Sequence, residues 1–221
     1  MNFLEIIHNR QSVRAFLKKP VAQETLIQLL EVARFAPSGV NTQPWRVAVL
    51  GQKARQAIAQ DYIAAKEAQE PDCPDYQYYP KEWIEPYLQR RRACGLALYS
   101  ALHIAKEDAV RRKEQWYKNY SFFGAPAGLM ILIDSRLETG SWLDTGMFIQ
   151  TILLAARGLG LEACPQAALS ERPDIIRKHL NLSTELKVVC GIALGYADWS
   201  DPINQYRTER EPIEVFTTWH E

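Results

Sequence analysis

A chain of 221 residues is long enough to bury a full hydrophobic core, as one large domain or two small ones. Its 26 basic and 26 acidic residues give a formal net charge of zero, which argues against a nucleic-acid partner. A hydrophobic fraction of 47% and an aromatic fraction of 10% are ordinary for a soluble globular protein.

Phe3, Leu4, Ile6 and Ile7 form a short apolar face, read as a first helix. No apolar leader follows Met1-Asn2-Phe3-Leu4-Glu5, so a cytoplasmic location is expected. Next comes Asn9-Arg10-Gln11-Ser12-Val13-Arg14. In an extended segment Arg10, Ser12 and Arg14 point one way. Two guanidinium forks around a hydroxyl suit a phosphate monoester; a solvated basic stretch is the alternative.

Pro20 precedes a helix striped by Leu26, Leu29, Leu30 and Ala33, expected to run to Pro37. The loop Ala36-Pro37-Ser38-Gly39-Val40-Asn41-Thr42-Gln43-Pro44-Trp45 follows. Pro37 and Pro44 fix φ and remove two amide donors. Gly39 is assigned the position too close or too left-handed for a side chain. Ser38, Asn41 and Gln43 supply short donors and acceptors. Such a loop reads as a wall of a ligand site, or as a connection that satisfies its own backbone. A buried strand is expected over residues 46–50.

Residues 52–69 are helical by composition. Residues 70–86 carry Pro71, Pro74, Pro80 and Pro86 among Tyr76, Tyr78, Tyr79 and Trp83, too many prolines for a helix and too many aromatics for a disordered linker. A lid over an apolar pocket and a wrap around a second subunit are both open. A helix is expected over 87–118, broken near Gly95, with Arg90, Arg91 and Arg92 on a solvated face. A turn at 121–126 leads to a buried strand at 128–133. The run 142–161 is the longest apolar stretch, but Asp144, Gln150 and Arg157 interrupt it, so it reads as a buried helix rather than a membrane span. A short strand enters a small-residue loop over 161–169. A helix follows over 173–180, with Ser170 or Glu171 near its start, and then a strand over 187–194 buried on both faces. Beyond Tyr196 the chain is polar, and no tidy helix is expected. A C-terminal arm of this length needs a surface to lie on, and a second subunit is the obvious one.

Cys73, Cys94, Cys164 and Cys190 form no close pair, which fits free thiols in a reducing compartment. His8, His103, His179 and His220 are scattered, so no metal site is expected. There is no GxGxxG, no GxxxxGK[ST] and no GxSxG, and nothing nominates a nucleophile with its base. A cofactor would have to carry any redox chemistry.

Four stretches in order, Arg10 to Arg14, Ala36 to Trp45, Gly160 to Gln166, and Gly195-Tyr196 with Arg207-Thr208-Glu209-Arg210-Glu211-Pro212-Ile213, resemble the FMN-dependent nitroreductase family. The resemblance runs from about Phe3 to Trp219. It implies one domain over residues 1–221 with an α+β fold: a mostly antiparallel central sheet flanked by helices, in an intertwined homodimer. The apolar helix would form the dimer core, and residues 200–221 would be an arm crossing to the other subunit. Two FMN molecules would lie in the interfaces. Arg10, Gln11, Ser12 and Arg14 would hold the phosphate and ribityl chain, with Arg210 closing from the arm and Arg207 the less favoured candidate. Pro37, Ser38, Gly39 and Asn41 would reach the flavin of the other subunit. Pro165, Gln166 and Ala167 would line the ring edge, with a backbone amide near Ala167 donating to N5. Better-known members carry an acidic residue and a glycine where Ala167 and Ala168 stand, and the lysine many place near N1 and O2 has no counterpart here.

The implied activity is ping-pong hydride transfer from NAD(P)H through flavin N5 to a nitroaromatic or quinone. No catalytic side chain is required, because protons can come from solvent. Aromatic residues of 76–83 and 120–123 would stack on a planar acceptor or pack in the core. A reductive dehalogenase on the same fold and a non-catalytic FMN-binding regulatory or storage protein are the alternatives.

Overall fold

The structure is a computed structural model that describes residues 2–220. Four strands, β1 (Trp45–Leu50), β2 (Ala127–Asp134), β3 (Glu162–Gln166) and β4 (Leu186–Gly195), form one sheet in the order β1-β2-β4-β3, with every neighbouring pair antiparallel. The helices are α1 (Phe3–Asn9), α2 (Gln23–Ala33), α3 (Gln52–Glu67), α4 (Tyr87–Ala101), α5 (Ala109–Tyr117), α6 (Thr139–Gly158), α7 (Pro173–Leu180) and the single turn α8 (Ile213–Phe216). This is the α+β architecture that the family resemblance implies.

The two-residue period of β2 divides the core. Leu129, Ile131 and Ile133 face one layer, with Leu29 and Ala33 of α2 and Phe148, Ile152 and Ala156 of α6. Met130 and Leu132 face the other, with Ile58 and Tyr62 of α3, Ile175 and Ile176 of α7, and Tyr120, Phe122 and Phe123. Leu129, Met130, Ile131 and Ile133 are fully buried, each stabilising the fold by roughly 1.5–3 kcal/mol.

Several local expectations are corrected. The strand β1 is an edge strand, paired only with β2, and Val49 is 48% exposed. Helix α2 stops at Ala33, before Pro37. The long helix expected over 87–118 breaks at residues 102–108, not at Gly95, which sits inside α4. His103 turns left-handed at φ 50° and Asp108 caps α5 by accepting the Arg111 amide at 3.0 Å. A glycine in a helix costs only about 1 kcal/mol, and this one is tolerated. In the loop before β1, the left-handed residues are Val40, Asn41 and Gln43, not Gly39. As expected, Ser170 and Glu171 lie near the start of α7, with Arg172 at its N-cap and Pro173 preset for the first turn. Arg90 is not simply solvated: its Nε donates to Glu211 at 2.7 Å. The arm also carries one helical turn, α8.

The proline- and tyrosine-rich segment is strapped to its own protomer at its first half. Asp75 accepts from Arg177 Nη2 at 2.6 Å and from the Val188 amide at 2.8 Å. The Tyr76 hydroxyl donates to the Val189 carbonyl at 2.6 Å, and its ring lies 4.5 Å from Trp142. Among the described residues no helix is long and apolar enough to cross a membrane.

Candidate functional site

Helix α1 sets the start of the site. Its N-terminus carries a capping box, in which Asn2 Oδ1 accepts the Glu5 amide at 2.9 Å and Glu5 Oε2 accepts the Asn2 amide at 2.9 Å. The helix ends at Asn9, and Arg10 turns extended with ψ 130°. The extended chain then bridges Ser12 in parallel to Ala163 of β3, and the Val13 amide donates to the Ala163 carbonyl at 3.2 Å. Val13 is fully buried, which holds the register. The Leu17 amide continues the ribbon by donating to the Tyr196 carbonyl at 2.8 Å, just past β4.

Beside this ribbon lies a cavity of about 560 Å³, walled by Arg10, Gln11, Ser12 and Arg14, by Gln150 of α6, by Cys94 of α4, and by Tyr206, Arg207, Thr208 and Arg210 of the arm. Among the described residues no carboxylate lines it. Arg10 is half-buried in the wall and has no hydrogen-bond acceptor among the described residues. Burial and the neighbouring Arg210 and Arg207 pull its pKa below the usual arginine value. Arg14 Nη1 meets the Tyr206 hydroxyl at 3.2 Å and the Ser12 carbonyl at 3.3 Å. Arg207 is committed elsewhere: its two Nη atoms donate to the His8 and Asn9 carbonyls at 2.9 and 3.0 Å, at the C-terminus of α1. Gln11 Nε2 donates to the Asn204 carbonyl at 2.8 Å, while its Oε1 is buried without a partner among the described residues. Converging guanidinium groups with no carboxylate in the cavity wall, together with a serine hydroxyl and an amide oxygen free to accept, fit a phosphate ester with a hydroxylated tail.

Behind the wall, Glu162 pairs with Arg157 of α6. Burial pushes its carboxyl up to about 7, against the lowering pull of Arg157, Arg10 and Arg207.

The cavity thus brings together Arg10, Gln11, Ser12, Arg14, Arg207 and Arg210 from the two ends of the chain. It does not include Pro165 and Gln166, which end β3 beyond the bridge, or Ala167, which opens the turn after it. Gln166 is buried; its Nε2 donates to the Asn119 carbonyl at 2.6 Å and its Oε1 has no partner among the described residues. The turn after it presses on β4 at Gly191, where a Cβ would lie 2.2 Å from Leu169 Cδ1. Pro37, Ser38, Gly39 and Asn41 do not line the cavity either. Their loop is held by α6, whose Asp144 Oδ2 accepts the Gly39 amide at 3.1 Å. Tyr120, Phe122 and Phe123 are buried in the core and offer no face to an acceptor. Sequence reading missed Gln150, Tyr206, Thr208 and Cys94 in the wall and Asn204 beneath it.

A four-stranded antiparallel sheet between helical layers, with an arginine-walled cavity closed by both chain ends, defines an α+β protein with a basic pocket suited to an anionic ligand. The Nitroreductase family profile matches residues 7–196, and the chain belongs to that family. It is 36% identical over 216 residues to the 4-nitrobenzoate reductase of Pseudomonas putida, covering 98% of this chain and 94% of that protein. It is 38% identical over 216 residues to the chloronitrobenzene nitroreductase of Comamonas testosteroni, covering 97% and 95%. The crystal structure of the FMN and NADPH-dependent nitroreductase NfnB from Sphigopyxis sp. strain HMH superposes with a TM-score of 0.96 at 33% identity, covering 100% of both chains.

Proposed function

We propose that this chain is an FMN-dependent NAD(P)H oxidoreductase that reduces nitroaromatic or quinone-type acceptors in a ping-pong cycle, as a cytoplasmic homodimer of one flavin-binding domain per chain. The observation that carries the reading is the half-buried, acceptor-free Arg10 guanidinium in a cavity without carboxylates. The relatives' names place nitroaromatic compounds among their substrates.

In this reading Arg10, Arg14 and Arg210 hold the phosphate, and Ser12 and Gln11 bind the ribityl hydroxyls. Arg207 acts mainly on α1, keeping Arg10 at the helix end. When bound, FMN supplies a two-electron carrier that a nicotinamide can reduce and a planar acceptor can reoxidise on the same exposed face. Pro165, Gln166 and Ala167 follow the β3 bridge to Ser12 and would border the ring edge, where the Ala167 amide is positioned by the buried turn beneath it. Pro37, Ser38, Gly39 and Asn41 would complete the site from the second subunit. In support, one protomer exposes Leu143 and Met147 of α6 and Phe3 and Leu4 of α1, apolar surface that a second copy would cover.

The test is the absorbance spectrum of the purified protein. Yellow colour bleached by NADPH under nitrogen and restored by a nitro compound supports the reading. Bound flavin that NAD(P)H never reduces would point to a non-catalytic binding protein instead.

A further inference from the structure

Within residues 161–170 only Pro165 and Ala167 reach the surface; their neighbours are buried. The chain on either side of Ala167 is clamped. Before it, Gln166 pairs with Gly191 of β4, and its side chain is tied to the Asn119 carbonyl at 2.6 Å. After it, Ser170, 3% exposed, donates through Oγ to the Ala167 carbonyl at 2.8 Å. Leu169, between Ala167 and Ser170, is fully buried and packs against the backbone of Gly191. The Tyr62 hydroxyl of α3 holds the far end of the turn, 2.7 Å from the Leu169 carbonyl and 3.0 Å from the Arg172 carbonyl.

Tyr76 of the proline-rich segment stands beside Ser170. Its hydroxyl donates to the Val189 carbonyl at 2.6 Å. Burial raises its pKa, and the neighbouring Ser170 hydroxyl works against that rise. A serine that bonds a carbonyl three residues back is common at turns, where it satisfies a lone backbone group. At this position the bond also fixes a rotation. A trans peptide is planar, so a donor held on the Ala167 carbonyl holds the whole Ala167–Ala168 peptide. With Gln166 fixed in the sheet, the one surface-reaching residue of the turn has a single backbone orientation.

We propose, on the basis of the flavin reading above, that Ser170 is a positioning residue for the cofactor: by holding the Ala167 carbonyl it keeps the amide edge at Ala167 aimed at flavin N5, and so sets the reduction potential of bound FMN. Oxidised flavin presents a lone pair at N5, whereas reduced flavin carries a hydrogen there. An amide held in place therefore favours the oxidised form, and a loosened amide favours it less.

The test is the midpoint potential of bound FMN, measured by absorbance against a reference dye, in the parent, Ser170→Ala and Tyr62→Phe. Melting temperature and FMN affinity are measured beside it. Ser170→Ala is expected to bind FMN and to shift the oxidised-to-reduced equilibrium about threefold to tenfold toward reduction, which raises the potential by about 15–30 mV for a two-electron couple. Tyr62→Phe loses a hydroxyl from the far end of the same turn; it should melt below the parent and leave the potential unchanged. FMN bound by Ser170→Ala at or below the parental potential overturns the proposal and leaves the flavin reading standing. An equal rise in Tyr62→Phe does the same, because it makes the effect a general loosening of the turn. A parent protein that binds no FMN removes both.

Discussion

Asn204 Oδ1 accepts the Arg14 amide at 2.9 Å, joining residues 190 positions apart. The same side chain donates through Nδ2 to the Ala15 carbonyl at 2.9 Å and the Asp198 carbonyl at 2.7 Å, and its own carbonyl accepts Gln11 Nε2 at 2.8 Å. Asn204 is 3% exposed, so its end of these bonds is buried. It ties the arginine ribbon to the root of the C-terminal arm, and so brings the two ends of the chain to one cavity.

Replacing Asn204 by alanine leaves the Arg14 amide without a partner, while the Ala15 and Asp198 carbonyls keep the Asp198 and Asp201 amides. Each buried group left unsatisfied costs about 1–3 kcal/mol. Asn204→Ala is expected to melt several degrees below the parent and to release flavin more readily. Asn204→Asp keeps the acceptor for Arg14 and loses the two donors, so it should fall between. Chemical denaturation of all three proteins, with flavin release followed by fluorescence, makes the comparison. An Asn204→Ala protein as stable as the parent would show that this knot contributes nothing.

The arginines of the cavity are expected to separate into two classes. Arg10 has no protein acceptor among the described residues, so its loss should fall on the ligand; a hydrogen bond to a charged group is worth about 1.5–3 kcal/mol, or ten- to a hundredfold in flavin affinity. Arg207 is engaged with the His8 and Asn9 carbonyls, so Arg207→Ala should lower the melting temperature more than it weakens flavin. Flavin titration of apoprotein made from Arg10→Ala, Arg207→Ala and the Arg10→Ala/Arg14→Ala pair measures both effects. Retention of flavin by the double variant at parental affinity would remove the phosphate from this cavity.

The arginine ribbon of this cavity was legible in sequence because it is local. Arg10, Ser12 and Arg14 alternate in one short stretch, and an extended chain is enough to align them. The distant contributions were harder to read. Asp144, Gln150 and Arg157 marked the long apolar helix as no membrane span, yet they act on three different neighbours. Asp144 holds the Gly39 amide, Gln150 reaches the cavity and Arg157 pairs with Glu162. Their spacing of six and seven residues shows no pattern, because those neighbours come from separate parts of the chain. Asn204 looked like one more polar residue in a polar tail. The strands were readable as short apolar runs between turns, but edge position was not, since β1 is as apolar as its inner neighbours. Phe122 and Phe123 carry no mark that separates a core aromatic from one that stacks on a ligand; only packing decides it.

Stability near neutral pH should respond to Glu162. Its folded pKa, about 7, lies above the ordinary value of 4.5 expected in the unfolded chain. The unfolded state therefore loses this proton first. The stabilisation associated with the protonated carboxyl is complete below pH about 4.5 and disappears as pH rises through about 7. Glu162→Gln is neutral throughout, so its stability relative to the parent should rise between pH 5 and pH 8, by an amount on the order of 1–3 kcal/mol. Urea denaturation of both proteins at intervals over that range gives the difference directly. A parent that gains on the variant as pH rises would mean that pairing with Arg157 outweighs burial.

The loop of residues 36–45 is anchored twice to α6, by Asp144 at Gly39 and by Phe148, whose ring stacks on Trp45 at 4.5 Å with an interplanar angle of 4°. Asp144 and Phe148 are four residues apart and share one face of the helix, so they fix both ends of the segment that holds Val40, Asn41 and Gln43 in left-handed backbone. If this loop completes the site of the second subunit, loosening it should impair that site while leaving the Arg10 cavity intact. Asp144→Ala frees the Gly39 amide, whereas Asp144→Asn keeps an acceptor in the same place. The alanine variant is expected to retain flavin within about threefold of the parent but to lose roughly tenfold or more in kcat/KM for a nitroaromatic acceptor, a change of about 1.4 kcal/mol, and the asparagine variant should recover most of it. Equal activity in parent and alanine variant, with the dimer intact by light scattering, would place the loop outside the reaction.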